Sequence, residues 1–415
     1  MARTDVIVLG AGIVGTSAAL HLAKRGLAVT LVDRRGPGEE TSYGNAGVIE
    51  GNTLFPHAFP SGFGELVRIA LKQAPDANYH LSFLPKVALW LLAYRFNTQP
   101  EGSLAFAEAM RPLFSRAVSE HEALIAEAGA ARYLHKGGWI KLYRSDEAFE
   151  ATARERVLAA KLGLNQRALS VEETRALEPS LMPVFRHAVH WPDAASVSNP
   201  LAVTKAYAAR FAALGGVVLN GDALTLHRSD ARWRVETDEG PIDAKDVVVA
   251  LGPWAPDLLG RLGIELPLTF KRGYHRHFRP NGNAGLTRPV VDTANGYCLA
   301  PMEQGIRLTT GAEFADRDAK PTPAQFYRLL PAARGLFPLG EQVEAQPWMG
   351  SRPCFADSRP VIGRAPGQPG LWLDYGHAHW GLTLGPVSGR LIAEIMTGAA
   401  PLCDPAPYSA ERFAP

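Results

Sequence analysis

Residues 5–33 read DVIVLGAGIVGTSAALHLAKRGLAVTLVD: an apolar strand, a glycine-rich turn, a helix, a second apolar strand and a terminal acid. The residues of the turn and helix start are Gly10, Ala11, Gly12, Ile13, Val14 and Gly15, and the three glycines have different tasks. Gly10 lets the strand turn sharply, Gly12 lets a pyrophosphate approach the backbone, and Gly15 lets the helix pack closely on the strand. The helix start then offers free N–H groups and the positive end of its dipole to the phosphates. Gly26 suits the left-handed residue that ends the helix. Asp33, followed by Arg34, stands about 20 residues beyond the glycines, where a carboxylate accepts hydrogen bonds from a ribose diol and repels a 2′-phosphate. The unit defines a dinucleotide site and leaves both FAD and NAD open.

A chain of 415 residues exceeds the usual size of one hydrophobic core, so two domains are expected. With 43 basic and 41 acidic side chains there is no net field to attract nucleic acid. Cys298, Cys354 and Cys403 are scattered, giving neither a disulfide framework nor a metal-ligand spacing. The first strand begins too early for a secretory signal, and no apolar run is long enough to span a bilayer. The expected location is cytoplasmic, or peripheral on the cytoplasmic side of the inner membrane. The second option comes from FLPKVALWLLAYRF, residues 83–96, which reads either as a buried helix or as an interfacial one anchored by Trp90 and Tyr94.

Along the chain, residues 104–128 read as a helix, 132–144 as strands and 146–181 as helices. Ser198 or Asn199 caps a helix opening at Pro200, and VVLNGDALTLHR continues as strand. Residues 247–251 form a buried strand that runs into Gly252-Pro253-Trp254. From Phe270 to about Arg317 the texture becomes that of an antiparallel sheet. Alternating α/β texture resumes at Pro360, with a strand at 371–375 and a last helix at 383–397. These alternations predict a discontinuous division: 1–55, 150–265 and 345–415 form a dinucleotide-binding domain, and 56–149 and 266–344 a substrate domain.

Four segments, in order, carry a resemblance: GAGIVG with Asp33, ETSYGNAGVI at 40–49, VVVALGPWAPDL at 247–258, and GSRPCFADSRPVIG with GHAHWGLTLGP near the carboxyl end. Together they resemble the FAD-dependent DAO family, and most nearly its bacterial D-amino acid dehydrogenase branch. The resemblance implies a Rossmann-like FAD domain with an antiparallel-sheet substrate domain. It implies that Thr41, Ser42, Asn45, Ala46, Gly47 and Val48 pass the ribitol and isoalloxazine, and that Ala223 adjoins the adenine. Ala250, Gly252 and Trp254 would flank the pyrophosphate. Gly376, His377, Trp380, Gly381, Leu382 and Thr383 would place a helix start at the flavin ring. Arg352 of GSRP would fork onto a substrate carboxylate. Tyr274 and Tyr297 would lie over the flavin with hydroxyls toward substrate, Arg272 is a second carboxylate candidate, and His377 matches the family's GH turn.

Two departures bear on chemistry. Monomeric sarcosine oxidase tethers its flavin through a cysteine where this chain has Gly350, so the FAD is expected to be non-covalent. The same oxidase has an oxygen-activating lysine where this chain has Arg307. The expected activity is oxidative deamination of a D-amino acid or a proline-type secondary amino acid, by hydride transfer from Cα to the flavin, with a quinone or another carrier as acceptor. The alternatives are an amino-acid or amine oxidase releasing hydrogen peroxide, an NAD-dependent dehydrogenase, and a non-catalytic flavin-binding subunit.

Overall fold

The computed structural model describes residues 2–60 and 62–414. Its first sheet has a parallel centre in which Val217–Ser229, Val29–Asp33, Ala2–Leu9, Ile242–Val249 and Leu371–Tyr375 lie side by side. Their runs of Val, Ile and Leu are those of strands covered on both faces. The strand Arg232–Thr237 folds back antiparallel between the far ends of Val217–Ser229 and Ile242–Val249, and Val361–Arg364 closes the other edge. One face is covered by helices Ile13–Ala23, Pro100–Glu127, Pro200–Ala213 and Gly381–Thr397. Trp233, Val235, Leu258 and Leu259 pack on the other.

Helices Ile13–Ala23 and Gly381–Thr397 touch along glycines. A Cβ on Gly389 would lie 2.6 Å from the Ala18 nitrogen, and one on Gly385 would lie 3.2 Å from Ile13. The two helix starts are thereby held side by side at the carboxyl ends of the parallel strands, where open α/β sheets bind ligands.

The second, larger sheet is built around the long strand Leu268–Pro280. It pairs antiparallel with Trp348–Phe355 along one edge and with Gly305–Thr309 and Ala312–Phe314 along the other. Helix Ala324–Leu336 packs behind it on Phe278, Tyr297 and Leu308. The sheet is mixed at two short pairings, Val290–Asp292 with Trp139–Tyr143 and Ala312–Phe314 with Ala77–Tyr79.

Several expectations match closely. The strand Leu371–Tyr375 has the expected bounds, Asn199 caps its helix by accepting from the Ala202 N–H at 2.9 Å, and Gly26 has φ +82°. Others differ. Arg167–Leu169, His187–Trp191 and Trp348–Phe355 fall on the other side of the expected division, since all three pair into the large sheet. Three-residue strands carry too little alternation to announce themselves, and GSRP pairs with the distant strand Leu268–Pro280 rather than with its neighbours in sequence. Helix Leu84–Asn97 turns Val87, Trp90 and Tyr94 inward at helical spacing. Trp90 and Tyr94 are only 7% and 6% exposed and stack at 4.8 Å, so they are not membrane anchors. The outward face carries Leu89 and Phe96, 81% and 76% exposed. No helix among the described residues is long and apolar enough to cross a membrane.

Because Gly389 leaves no room for a side chain, Gly389→Val should destabilise the protein by about 1–3 kcal/mol through overpacking. Thermal unfolding of the variant should show a lower midpoint, and an unchanged midpoint would contradict the close helix contact.

Candidate active site

A cavity of about 1810 Å³ runs from the carboxyl ends of the parallel strands to one face of the large sheet. At its first end lie Gly10, Gly12, Ile13, Val14, Asp33, Arg34, Ala223, Ala250, Gly252 and Trp254. Gly10 has φ +103°, and a Cβ there would lie 2.5 Å from the Ala250 carbonyl oxygen. At Gly12 a Cβ would meet only Ser42 Oγ, at 3.3 Å, so that side of the turn is open to a ligand. Ala11 and Gly15 stand behind the wall: a Cβ on Gly15 would run into the Gly10 carbonyl, which is the close packing the motif requires. The Asp33 carboxylate is held by the Ala11 N–H at 2.6 Å and the Arg35 N–H at 2.9 Å. Each oxygen keeps a lone pair for a further donor. The Arg34 guanidinium lies 4.5 Å over the Trp254 ring and pairs with Glu40 at 3.0 Å.

The loop 41–48 is stitched along the middle of the cavity. Ser42 Oγ accepts from the Ile13 N–H at 2.9 Å, and Thr41 Oγ1 donates to the Ser351 carbonyl at 3.2 Å. Thr383 Oγ1 donates to the Val48 carbonyl at 3.1 Å, and Asn45 Oδ1 accepts from the Gly47 N–H at 2.8 Å. Asn45, Ala46 and Val48 line the cavity, while Gly47, at φ +77°, turns behind it. Gly376, Trp380, Gly381, Leu382 and Thr383 bring the start of the last helix to the same wall. His121, on helix Pro100–Glu127, holds that start: its Nε2–H donates to the Leu382 carbonyl at 2.7 Å while Nδ1 accepts from Tyr207 Oη at 3.0 Å.

His377 stands in this turn on the cavity wall, with its Nε2 turned inward to the helix. Its Nε2 lies 3.1 Å from Ser388 Oγ and 3.4 Å from Asp374 Oδ1, deep below the surface. Burial pushes its pKa down to about 3 and the Asp374 carboxyl well up, so the imidazole is neutral and faces the helix.

At the other end the period of the strand decides what the cavity sees. Lys271 and Gly273 of Leu268–Pro280 face it, opposite Arg352 and Gly350 of the neighbouring strand. Arg272 and Tyr274 therefore point the other way. Arg272 is fully buried and forks onto Glu313 Oε2 at 2.8 and 2.6 Å, with further bonds to the Asp316 and Lys320 carbonyls. It has no donor left for a substrate carboxylate. The Tyr274 hydroxyl donates to Glu313 at 2.7 Å and accepts from the Thr322 N–H at 2.8 Å. Tyr297 packs in the core behind the sheet, its hydroxyl donating to the Ala332 carbonyl at 3.3 Å and interacting with Asp292. Both tyrosines border the cavity, but each hydroxyl is engaged on the far side of the sheet. The expectation followed the residue types in KRGYHRHF and GYCLAP without applying the alternation that assigns each to a face.

Arg352 does reach the cavity. Its Nη1 and Nη2 donate to the Gly311 and Thr310 carbonyls at 2.8 and 3.1 Å, and it forms no ion pair among the described residues. Burial lowers its pKa without discharging it. Three further neighbours stand beside it: Lys271 and His57, from outside the four segments, and His379, from within GHAHWGLTLGP. The two imidazoles lie 4.7 Å apart. Burial, then the charges of Lys141, Lys271 and Arg352, pushes His57 down to about 4; burial also takes His379 well below the usual range. Only the alternation rule would have found Lys271, and nothing in its sequence surroundings marks His57.

Arg307 lies behind the wall. Its Nε donates to His277 Nε2 at 2.9 Å, its Nη1 to the Tyr43 carbonyl at 2.8 Å and also to that of Asn45. His277 in turn bonds Glu344 through Nδ1. His275, His277 and Glu344 offer ligand atoms within 4.8 Å of one another, but the Arg307 cation bonded to His277 opposes a metal ion. The arrangement anchors the loop 41–48. Arg307→Met should release it and weaken FAD binding by at least about tenfold, as expected for two or three lost charge-assisted bonds. Fluorescence titration of the apoprotein with FAD checks this, and an unchanged affinity would contradict the anchoring role.

The family model for FAD dependent oxidoreductases (DAO) matches residues 5–395. A D-amino acid dehydrogenase 2 of Ralstonia nicotianae is 33% identical over 98% of this chain and all of its own. A D-amino-acid oxidase of Bradyrhizobium diazoefficiens is 29% identical over 98% of both chains. The crystal structure of an L-proline dehydrogenase from P. horikoshii superimposes with a TM-score of 0.78 over 99% of this chain and 98% of that one, at 20% identity. The chain belongs to the DAO family of FAD-dependent oxidoreductases, and its dinucleotide is FAD. The cavity fits that cofactor: an open glycine turn and the Asp33 carboxylate, with lone pairs to spare, stand at one end, and there is space for the ring system beside the start of the last helix.

Proposed function

We propose that the protein oxidatively deaminates an amino acid, either a D-amino acid or a proline-type secondary amino acid, with Arg352 as the carboxylate anchor. The observation that carries this reading is the guanidinium of Arg352, placed on the cavity wall far from the ribose-binding Asp33 and lacking an anionic partner among the described residues. Two of its N–H groups are fixed by backbone carbonyls, which aims the remaining donors at a ligand. Bound FAD supplies the two-electron acceptor for the Cα–H bond. The start of helix Gly381–Thr397 places its dipole where negative charge gathers on the ring. Neutral His57 and His379 add no third positive charge and offer acceptors to the substrate amino group. Gly350 brings no nucleophile to the ring, and Cys354, four residues on, is buried with its thiol pKa raised, so the FAD is non-covalent. The cofactor domain is built on the seven-stranded sheet, the substrate domain on the large one.

For the acceptor we infer a quinone or another carrier rather than oxygen. Arg307, where an oxidase of this family has its oxygen-activating lysine, is behind the wall, and the apolar outer face of helix Leu84–Asn97, flanked by exposed Lys86 and Arg95, suits peripheral contact with the cytoplasmic side of a membrane. A second reading, the peroxide-forming oxidase, is favoured by one observation: Lys271 puts an ammonium on the cavity wall.

Arg352→Ala should lower the rate of anaerobic flavin bleaching by an amount equivalent to about 2–5 kcal/mol, the range for truncating one partner of a buried charge pair. Arg352→Lys should recover only part of it, since the fork is lost. Unchanged single-turnover reduction in Arg352→Ala would remove this residue from the site. Acid precipitation should leave the yellow colour in the supernatant.

The bleached enzyme should recolour faster with a soluble ubiquinone analogue than with air-saturated buffer in stopped-flow mixing. Recolouring at least as fast by oxygen, with stoichiometric peroxide, would make it an oxidase.

A further inference from the structure

The substrate end of the cavity carries more positive charge than one carboxylate needs. Lys271 and Arg352 are register partners on adjacent antiparallel strands and both face the cavity. Their cationic heads diverge. The Arg352 guanidinium lies across Gly273, where a Cβ would be 2.8 Å from its Cζ, and reaches the Thr310 and Gly311 carbonyls. The Lys271 ammonium lies over the rings of Tyr94 and Trp90, at 3.9 and 4.9 Å from their centroids.

The carboxylates nearby are engaged elsewhere, apart from exposed Asp76, which lines the cavity but pairs with neither cation within 4 Å. Glu313 is held on the opposite face of the strand by Arg272, and Asp316 pairs with Lys86. Glu155 pairs with Lys141, another cation of the cavity lining, and Glu50 bonds Thr53 and Trp380. Among the described residues neither Lys271 nor Arg352 has an ion-pair partner within 4 Å. Aromatic faces lower the cost of enclosing the Lys271 ammonium but bring no counter-charge. A substrate with one carboxylate on Arg352 would leave that ammonium enclosed beside the guanidinium. A second anionic group on the substrate would answer it.

We propose that the substrate is an amino acid carrying a second carboxylate, with the α-carboxylate on Arg352 and the distal one on Lys271. This rests on the amino-acid reading above and specifies its substrate class. The same pocket then disfavours side chains that are neutral or cationic, because they leave Lys271 unpaired or repel it.

Acid and amide pairs isolate the charge. Anaerobic bleaching and dye-coupled turnover of the holoenzyme are measured with both enantiomers of glutamate against glutamine and of aspartate against asparagine. The acid should be preferred in kcat/KM by roughly 100-fold, as for loss of one partner of a desolvated charge pair. K271M should bring that ratio toward one, and K271E should move preference toward ornithine or lysine, a gain that misfolding cannot produce. Lys245→Met, an exposed lysine remote from the cavity, serves as the control and should leave the ratio unchanged. If K271M does not retain FAD, the wild-type ratio decides alone. Amides turned over as well as acids by the wild type would overturn the inference and leave the amino-acid reading standing. A ratio that survives in K271M, with loss only of reoxidation by oxygen, would assign Lys271 to the acceptor instead. No bleaching by any amino acid would overturn both.

Discussion

The ion pair between Arg272 and Glu313 decides which face of the large sheet can do chemistry. Both side chains are fully buried, and the pair is completed by Tyr274, Thr322 and three backbone carbonyls. Removing either partner would strand a buried charge at a cost of about 3–5 kcal/mol, so the strand Leu268–Pro280 cannot slip. A slip of one residue would exchange its faces and put Arg272 into the cavity in place of Lys271. With the register fixed, Lys271, Gly273, Gly350 and Arg352 form one patch on the cavity wall. The cations available to a substrate follow from a pair that never meets it.

The cofactor end rests on a different constraint, close approach of backbone. Gly15 against Gly10 and Gly389 against Ala18 bring two helix starts to the ends of the parallel strands. Between them the loop 41–48 is held by Ser42, Thr41 and Thr383 on one side and by Arg307 on the other. Arg307 thus acts as a clamp on the loop, and His121 does the same for the start of the last helix. Such groups touch no ligand themselves, yet they set the shape that a ligand meets.

Much of the cofactor site was legible because it depends on local rules. A strand, a glycine turn, a helix and a distant acid occur in sequence order, so Gly10, Gly12 and Asp33 could be assigned from spacing alone. Arg352 was legible through its GSRP setting. The rest of the substrate end was not, because a residue's face there depends on partner strands about 80 residues away, as with Lys271 and Arg352. Tyr274 and Tyr297 border the cavity, but their hydroxyls are turned to partners behind the sheet. His377 sits at the right turn, but its ring is directed to Ser388. Trp90 and Tyr94 looked like interfacial anchors because a short apolar helix does not reveal which of its faces packs. The 3.6-residue spacing of Val87, Trp90 and Tyr94 held the answer, and the outward Leu89 and Phe96 are the apolar residues that remain for a surface contact.

In the reading proposed above, one cavity holds FAD with its adenine end at Asp33 and Ala223 and offers Arg352 to a carboxylate at the ring end. A crystal structure of the FAD-loaded protein with benzoate, a carboxylate that cannot be oxidised at Cα, tests it directly. The account predicts adenosine against Asp33, the ring beside the start of helix Gly381–Thr397, and the benzoate carboxylate forked on the Arg352 guanidinium over the ring. A reversed cofactor, or benzoate bound away from Arg352, would contradict it.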